Sequence, residues 1–446
     1  MNRTVTSFFD KEYLEYAKYV VENRAIPSCI DGLKPTQRKV VYIANKIWKT
    51  GNEKPMKLFQ LAGRVAAEAF YHHGNTSLES SMVGMAQKFK NSLPLLEGIG
   101  QFGSLRSPAA GAPRYISAKL HPNFRLLYQD FELLENKIEE GEKIEPEYFL
   151  PIVPTVILNG TSGIAVGFAT NILNRNPMDV VNACISEVNG KRMKTLTPWV
   201  KEFQGTFTRD LENPKTWKIS GSYEIVNSNT VKITSIPPNY TYERYEEILN
   251  LLMEKGVIIA YDDNSSETIE YVLKFKRAVL KDLISKNRLE KALRLNTQET
   301  ENLTTIDENG ELKIFNKAEE IVKHFVQVRL GWYQKRKDYL IDKTEKQLAL
   351  VTNKARFIKD IIEGKLKINN APKEKIVAYL KTYDYDTVHG SYDYLLSMAI
   401  HSLTKERYEK LLQEKEGCII ALKTLKATDP KEMYLTDLKK LKAAIK

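Results

Sequence analysis

Cysteine is scarce in this sequence, and long apolar runs are missing. The 446 residues include 3 cysteines. Cys29, Cys184 and Cys418 lie far apart, in none of the spacings typical of a disulfide framework or a zinc site. No apolar run approaches the roughly 20 residues that cross a bilayer, and the first residues lack the apolar core of a signal peptide. We therefore expect a protein of a reducing cytosol with no membrane partner.

Two kinds of catalytic signature are missing as well. The sequence contains no glycine-rich P-loop that would cradle a nucleotide phosphate. The adjacent pair His72 and His73 lacks the i, i+4 spacing of helical zinc ligands, and no cysteine or carboxylate cluster completes a metal site there. We therefore expect no metal site in this chain. His72 and His73 are either an ordinary histidine pair at a helix end or a phosphate contact.

Positive charge is concentrated at the start of the chain. Residues 1–120 contain 17 Lys and Arg against 9 Asp and Glu. This excess of 8 positive charges is most of the formal net charge of +11. A basic region joined to a nearly neutral remainder is typical of a surface that binds a polyanion such as nucleic acid. A solvated basic face without a ligand is the alternative that charge leaves open.

Short helices are predicted in this basic region. Apolar residues at intervals of three and four indicate helices over 7–23, from Pro35, over 56–71 and up to Gln87. Gly74 is the residue expected to end the third helix. Short helices followed by glycine- and serine-rich loops and short strands are typical of a helix-turn-helix or winged-helix unit.

The dipeptide Arg114-Tyr115 follows a run of small residues, Ala109-Ala-Gly-Ala-Pro113. A phenol is a poor nucleophile near neutral pH because its pKa is about 10. A neighbouring guanidinium favours the phenolate and can bind a phosphate through two hydrogen bonds. The pair therefore suits covalent attack on a phosphodiester. The chain has 23 tyrosines, so the dipeptide alone does not establish this chemistry.

Seven motifs carry a resemblance to a known family. They are Arg24-Ala-Ile-Pro27, Asp31-Gly-Leu-Lys-Pro-Thr-Gln-Arg-Lys39, Tyr71-His-His-Gly74, Gly100-Gln-Phe-Gly-Ser104, Ala112-Pro-Arg-Tyr-Ile116, Ile144-Glu-Pro-Glu-Tyr-Phe-Leu-Pro-Ile-Val-Pro154 and Asn159-Gly-Thr-Ser-Gly-Ile164. In residue identity, order and spacing these motifs resemble the breakage-reunion region of type IIA DNA topoisomerases. The length of the chain is similar to that of the separate medium subunit of T4-like bacteriophage enzymes in this family.

The resemblance implies roles for individual residues. Tyr115 is the expected strand-cleaving nucleophile, and Arg114 is its phosphate-stabilising neighbour. The residues expected to contact the DNA backbone are Arg24, Lys34, Lys39, His72 and His73. Ile164 is expected to wedge between base pairs and bend the duplex; without the resemblance it would be interpreted as a core residue.

The resemblance also implies cofactors and partners. Mg²⁺ and ATP are expected on a large partner subunit with ATPase and Toprim domains, and this chain alone is expected to bind neither. Two copies of the chain are expected to form a homodimer on double-stranded DNA, so that two tyrosines cut opposite strands. The expected location is the cytoplasm of a phage-infected bacterial cell.

The expected fold is α+β and multidomain. We expect a winged-helix domain with the catalytic tyrosine in 1–150, a tower domain in 151–315, and a coiled coil with an exit-gate dimer contact in 316–446. Within the tower domain, apolar patterns predict helices over 177–188 and 241–255 and strands over Ser222–Val226, Thr230–Ser235, Val257–Tyr261 and Thr268–Phe275. The antiparallel coiled coil rests on two apolar stripes. They consist of Leu348, Val351, Ala355, Ile358 and Ile362, and of Leu411, Leu412, Ile419, Ile420 and Leu422. An ordinary two-helix hairpin is the alternative.

The expected function is DNA cleavage and religation within an ATP-dependent type II topoisomerase. Such an enzyme makes a transient double-strand break through a 5′-phosphotyrosine, passes a second duplex through it, and reseals it. It would relax supercoils and decatenate DNA. A winged-helix DNA-binding or architectural protein without catalysis is the alternative, and formation of a covalent protein–DNA adduct distinguishes the two.

Overall fold

The computed structural model describes residues 13–50, 53–266 and 268–445. The chain divides into two compact units, one of Met1–Arg329 with Leu435–Lys446 and one of Leu330–Tyr434. The predicted start of the first helix, 7–12, lies outside the described residues. In the described part of the chain, no helix combines the length and apolarity required to cross a bilayer.

The first unit begins with a group of short helices. Helix α1 (Leu14–Val20) continues into a π-helical turn (Val21–Ala25), and it is followed by α2 (Pro35–Ile47), α3 (Leu58–Glu68) and α4 (Asn75–Ala86). The inward faces of α2, α3 and α4 are apolar and buried, as the helical spacing predicts, whereas only Val20 is buried in α1. The buried residues include Val40, Val41, Ile43, Leu61, Val65, Leu78 and Met82.

A three-stranded antiparallel sheet accompanies these helices. Strands β1 (Met56–Lys57), β2 (Leu96–Ile99) and β3 (Ser117–Leu120) pair in the order β1-β3-β2. Three helices and a small sheet are the elements expected for a winged-helix unit. The segment between β2 and β3 contains Arg114 and Tyr115.

The predicted role of Gly74 is wrong. Helix α3 ends at Glu68, and Phe70, rather than a glycine, adopts the left-handed conformation with φ of 49°. Gly74 has φ of −63° and lies at the N-cap of α4. The chain therefore leaves α3 earlier than its apolar pattern predicts, and His72 and His73 lie in the connection between two helices.

The rest of the first unit contains strand pairs and larger sheets. The smaller elements are α5 (Pro122–Leu127), β4 (Tyr128–Gln129), β5 (Asn136–Glu139), β6 (Glu142–Pro146), β7 (Leu150–Pro151), α6 (Thr155–Leu158), β8 (Thr161–Ile164), β9 (Ala169–Ile172) and α7 (Pro177–Val188). Strands β5 and β6 form one hairpin, and β8 and β9 form another. These two hairpins carry residues of the candidate site.

Two sheets and a helical layer follow. The elements are β10 (Thr206–Arg209), β11 (Thr216–Ser220), β12 (Ser222–Asn227), β13 (Thr230–Ser235), α8 (Tyr242–Glu254), β14 (Ala260–Asp263), β15 (Tyr271–Lys274), α9 (Arg277–Ser285), α10 (Leu289–Ala292), β16 (Asn296–Thr300), β17 (Leu303–Ile306) and β18 (Leu312–Phe315). The sheets have the orders β10-β11-β16 and β12-β13-β15-β14, and β17 pairs with β18. Their core contains Ile233, Tyr245, Leu249 and Leu273.

The second unit is helical. The larger part of helix α11 (Ala318–Ile362) belongs to this unit, and it is followed by α12 (Lys373–Thr382), α13 (Asp393–Leu396) and α14 (Lys405–Ala427). Helix α15 (Pro430–Ala444) begins in this unit and ends in the first. Helices α11 and α14 run antiparallel. Lys337 Nζ donates to Thr428 O at 2.8 Å near one end, and Val351, Ala355 and Ile358 pack with Leu411 further along.

The return stripe predicted in α14 is wrong at three of its five residues. Leu411 and Leu422 are buried as expected, whereas Leu412, Ile419 and Ile420 are exposed within this chain. Ile419 and Ile420 follow Leu412 by seven and eight positions and therefore lie on the same face of α14. That face does not pack on α11. The antiparallel pairing is therefore observed, while the exit-gate dimer contact and the predicted domain boundaries stay predictions.

Candidate active site

Tyr115 lies in an exposed turn attached to the start of α3. Lys57 Nζ donates to Tyr115 O at 2.8 Å, and Leu58 N donates to Ile116 O at 3.1 Å. The backbone N–H of Tyr115 donates to Ala112 O at 2.8 Å, which closes the turn. The Tyr115 side chain is 70% exposed. The backbone of the turn is thus fixed by hydrogen bonds, and the phenol faces solvent, where a large substrate can reach it.

Arg114 lies beside this phenol. Its guanidinium carbon is 5.0 Å from the centroid of the Tyr115 ring, within cation–π distance. Both side chains are exposed. The structure therefore places the Arg114 guanidinium against the ring of the tyrosine with which the sequence pairs it for phosphate chemistry.

Lys39 and His72 share a carboxylate. Lys39 Nζ lies 3.7 Å from Glu139 Oε2 and 3.2 Å from Glu145 Oε1, and it donates to Ala69 O. His72 Nε2 lies 3.0 Å from Glu139 Oε1. Glu145 is fully buried, so Lys39 compensates a buried charge. Two of the residues expected to contact DNA are therefore paired within the chain.

His73 belongs to an aromatic group next to this network. Its Nε2 lies 3.0 Å from the Tyr19 hydroxyl of α1, and its ring meets that of Tyr71 edge-on at 5.3 Å between centroids. Burial raises the pKa of the Tyr71 phenol, and the Arg24 charge opposes this shift. Tyr19, Lys39, Tyr71, His72 and His73 line one cleft of about 340 Å³.

Lys34 supports the hairpin of Ile164. Lys34 Nζ donates to Ser162 O at 2.7 Å, and burial lowers the pKa of this ammonium group. The hairpin also approaches the π-helical turn closely, because a Cβ at Gly163 would lie 2.3 Å from Ala25 O. Lys34 therefore contacts a backbone carbonyl of the chain itself.

Ile164 is 88% exposed at the end of β8. Its neighbour Ala165 packs on a small cluster that includes Val21 and Ile26, and Ala165 N donates to Phe168 O at 2.8 Å. The hairpin is thus anchored while Ile164 projects into solvent. This exposure excludes the interpretation of Ile164 as a core residue.

Helix α3 separates the two groups of candidate residues. The turn of Tyr115 is bonded to its first residues, and His72 and His73 follow its last. A helix of 11 residues is about 16 Å long. Within one chain, the structure therefore places the tyrosine and the histidines at opposite ends of a rigid element.

Two buried polar residues were not singled out by the sequence. Arg38 of α2 is buried and donates from Nε to Asp31 Oδ2 at 2.6 Å. Gln87, the C-cap of α4, is buried and donates to two carbonyls of the segment before Tyr115. The spacing of Asp31 and Arg38 across a helix start was a sequence signal for the buried ion pair of Arg38. The sequence carries no comparable signal for Gln87.

One group of three metal-ligating side chains comes together among the described residues: Cys29, Glu308 and His324. His324 Nε2 lies 2.7 Å from Glu308 Oε2, while Lys313 Nζ faces the other ring nitrogen at 3.1 Å. Burial raises the pKa of the Cys29 thiol to about 12. Both ring nitrogens of His324 are thus engaged by side chains of the chain itself.

An Asp-x-Asp run is also present at Asp384-Tyr385-Asp386, in the second unit. Asp386 Oδ2 accepts a hydrogen bond from Asn353 Nδ2 at 2.7 Å. In the part of the chain that the structure describes, no three carboxylates converge on one point.

Comparisons with known proteins agree with one another. The family model for the A subunits of DNA gyrase and topoisomerase IV matches residues 24–442. The DNA topoisomerase medium subunit of Enterobacteria phage T4 is 35% identical over 446 residues, covering 99% of both chains. The mitochondrial DNA topoisomerase 2 of Dictyostelium discoideum is 34% identical, and this chain spans 35% of its length.

A solved structure is similar over almost the whole chain. The DNA-binding, cleavage and re-ligation domain of Plasmodium falciparum topoisomerase II has a TM-score of 0.87 and 33% sequence identity to this chain. The similarity covers 98% of this chain and 64% of that one. The chain thus has the mixed α/β fold of that domain.

Proposed function

This chain belongs to the type II DNA topoisomerase family that comprises the A subunits of DNA gyrase and topoisomerase IV, and from that premise we propose that it is the DNA cleavage and religation subunit of an ATP-dependent enzyme. The observation that carries this proposal is the exposed Tyr115 phenol beside the Arg114 guanidinium, on a turn fixed by backbone hydrogen bonds. The architectural alternative does not require a nucleophile at this position.

The proposed reaction exchanges one ester bond for another. The Tyr115 oxygen gives up its proton and attacks a DNA phosphorus, while the bond from phosphorus to the 3′ oxygen breaks and that oxygen takes up a proton. The strand is then held as a 5′-phosphotyrosine. Arg114 stabilises the charge that develops on the phosphate oxygens. Reversal of the same step reseals the strand after a second duplex has passed.

Two copies of the chain would complete the sites. Because α3 separates Tyr115 from His73 and Lys39 within one chain, a twofold dimer allows the tyrosine of one copy to meet the basic cleft of the other. A closed dimer also gives two nucleophiles, one for each strand of the duplex. Arg24, Lys39, His72 and His73 then contact the backbone near the cut, and Ile164 wedges between base pairs and bends the duplex. Lys34 supports the Ile164 hairpin from behind.

A large partner subunit would supply ATP hydrolysis and Mg²⁺. Among the described residues no three carboxylates converge on one point, and the phage T4 relative is named a medium subunit; both observations support the proposal. Mg²⁺, when bound, stabilises charge on the phosphate and the leaving oxygen. With that partner the complex would relax supercoils and decatenate DNA. The phage relative of equal length supports action in the cytoplasm of a phage-infected bacterium.

Supercoil relaxation tests the division of labour. The purified chain should bind DNA with a steep salt dependence, hydrolyse no ATP, and relax supercoiled DNA only after a large subunit of this family is added. ATP-driven relaxation by the chain alone would contradict the split enzyme. Failure of the reconstituted complex to cleave or relax DNA would favour the architectural alternative.

A further inference from the structure

Gln87 is a buried amide at the end of α4. Its side chain is 3% exposed, and its Nε2 donates to Phe102 O at 2.9 Å and to Pro108 O at 3.2 Å. An amide nitrogen has two N–H groups, and both are used here. Gln87 therefore joins α4 to both ends of the segment 102–108.

The segment between these two carbonyls is a tight loop. Gly103 has φ of 84°, and a Cβ there would lie 2.4 Å from Pro108 O. Ser104 N donates to Ser107 O at 2.9 Å across the loop. The loop can close this tightly only with glycine at 103, and the two Gln87 bonds fix it against the helix.

A short series of hydrogen bonds leads from this loop to Tyr115. Gln101 O, one residue before the first carbonyl bound by Gln87, accepts a hydrogen bond from Gly111 N at 2.8 Å. Ala112 follows directly, and its carbonyl accepts from Tyr115 N at 2.8 Å. A Cβ at Gly111 would lie 3.3 Å from Ile116 Cγ2, so the two parts of the segment are closely packed. Movement of the loop therefore moves the turn that presents the phenol.

We propose that Gln87 is a positioning residue for Tyr115: its two donated hydrogen bonds set where the phenol oxygen stands relative to the DNA phosphorus. The inference rests on the proposed function of Tyr115 and adds a residue that contacts neither DNA nor the reacting atoms. Near-attack geometry is sensitive to small displacements, so loss of these bonds reduces cleavage without weakening DNA binding.

Gln87→Glu gives a pH-dependent test. A carboxylate cannot donate to either carbonyl, whereas a carboxylic acid donates one hydrogen bond. Burial against two carbonyl oxygens raises the pKa of the introduced carboxyl group. In the Mg²⁺-containing complex with the large subunit, we expect adduct formation at pH 8 to fall about tenfold relative to the wild type. This deficit should shrink to about threefold or less by pH 5.5.

Two variants serve as controls. Gln87→Met lacks donors at every pH, so its deficit relative to the wild type should not change with pH. Asn91 Nδ2 donates to Gly84 O and Gln87 O at the same helix end, and neither acceptor belongs to 101–115. Asn91→Asp should therefore show no pH-dependent deficit. Equal deficits for both Gln87 variants at all pH values, or the same pH response in Asn91→Asp, would overturn the proposal.

Limited trypsin digestion provides a readout independent of catalysis. Arg106 and Arg114 are exposed on the segment, and Gln87→Met should speed cleavage after them several-fold, while Asn91→Asp should not. If the wild type forms no adduct, the proposed function fails, yet this digestion still tests the Gln87 contacts. Unchanged digestion in a folded Gln87→Met chain would overturn the positioning role.

Discussion

At the scale of single residues, exposure separates DNA contacts from structural supports. Ile164 is held out on an anchored hairpin, so its side chain contributes little to folding. We predict that Ile164→Ala leaves the thermal midpoint unchanged, because exposed substitutions change stability by about 0.5 kcal/mol or less. DNA bending and cleavage should fall together, since the shorter side chain offsets less of the unstacking energy.

Bend angle can be measured by energy transfer between dyes at the ends of a short duplex. A lowered midpoint with an unchanged bend would contradict the wedge.

Lys39 has a structural role besides any DNA contact. Lys39→Met would leave the buried Glu145 with Lys137 alone, whose Nζ lies at 3.4 Å. We predict a loss of about 2 to 3 kcal/mol in the free energy of unfolding, because removal of one of its two cations leaves the buried carboxylate of Glu145 less fully compensated. Lys46→Met, on the exposed face of the same helix, should change it by about 0.5 kcal/mol or less.

Urea denaturation of the two variants measures the difference. Equal stabilities would show that the carboxylates of Glu139 and Glu145 do not depend on Lys39.

The residues whose sequence-based predictions are wrong share a physical cause. Arg38 carries a charge and is therefore expected on the surface, but a bidentate contact with Asp31 allows its burial. Gly74 is expected to supply a left-handed conformation that Phe70 adopts instead. Apolar periodicity reports neither an ion pair, even one that spans seven residues, nor the backbone conformation of a single residue after a helix.

At the scale of elements, apolar periodicity predicted where helices and strands lie in the sequence better than which of their faces are buried. Helix α7 spans the predicted 177–188, β13 spans the predicted Thr230–Ser235, and α2 begins at the predicted proline. The strand predicted over Val257–Tyr261 begins three residues later, at Ala260. Local patterns fix where a helix or strand forms, but which of two apolar faces is covered depends on the neighbouring element.

Helix α14 allows a direct test of that point. Leu411 is buried against α11, whereas Ile419 is exposed. We predict that Leu411→Ala lowers the free energy of unfolding by about 2 to 4 kcal/mol, because it leaves a cavity. Ile419→Ala should cost about 0.5 kcal/mol or less in the isolated chain.

Chemical denaturation monitored by circular dichroism compares the two variants. Equal losses would show that both faces of α14 are packed.

At the scale of the whole molecule, the separation of Tyr115 from His73 predicts sites shared between two chains. Tyr115→Phe and His73→Ala homodimers should both cleave poorly. A mixed dimer of the two variants keeps one site with both residues intact, so it should nick one DNA strand at a near-normal rate.

To measure this complementation, the two variants carry different tags and the mixed dimer is co-purified. It is then combined with the large subunit and incubated with supercoiled circular DNA, and the nicked product is quantified. A mixed dimer as inactive as its parents would place the tyrosine and the histidine of one chain in the same site.

The most direct measurement of the central claim is the covalent adduct itself. The chain, Mg²⁺ and the large partner subunit are incubated with DNA labelled at either end, and the reaction is stopped with denaturant. We predict an adduct on the 5′ side of the break, carried by Tyr115 and lost in Tyr115→Phe, with DNA affinity unchanged because only the nucleophilic oxygen is removed. An adduct that persists in Tyr115→Phe would contradict the assignment of the nucleophile, and the absence of any adduct from the wild type would contradict the proposed function.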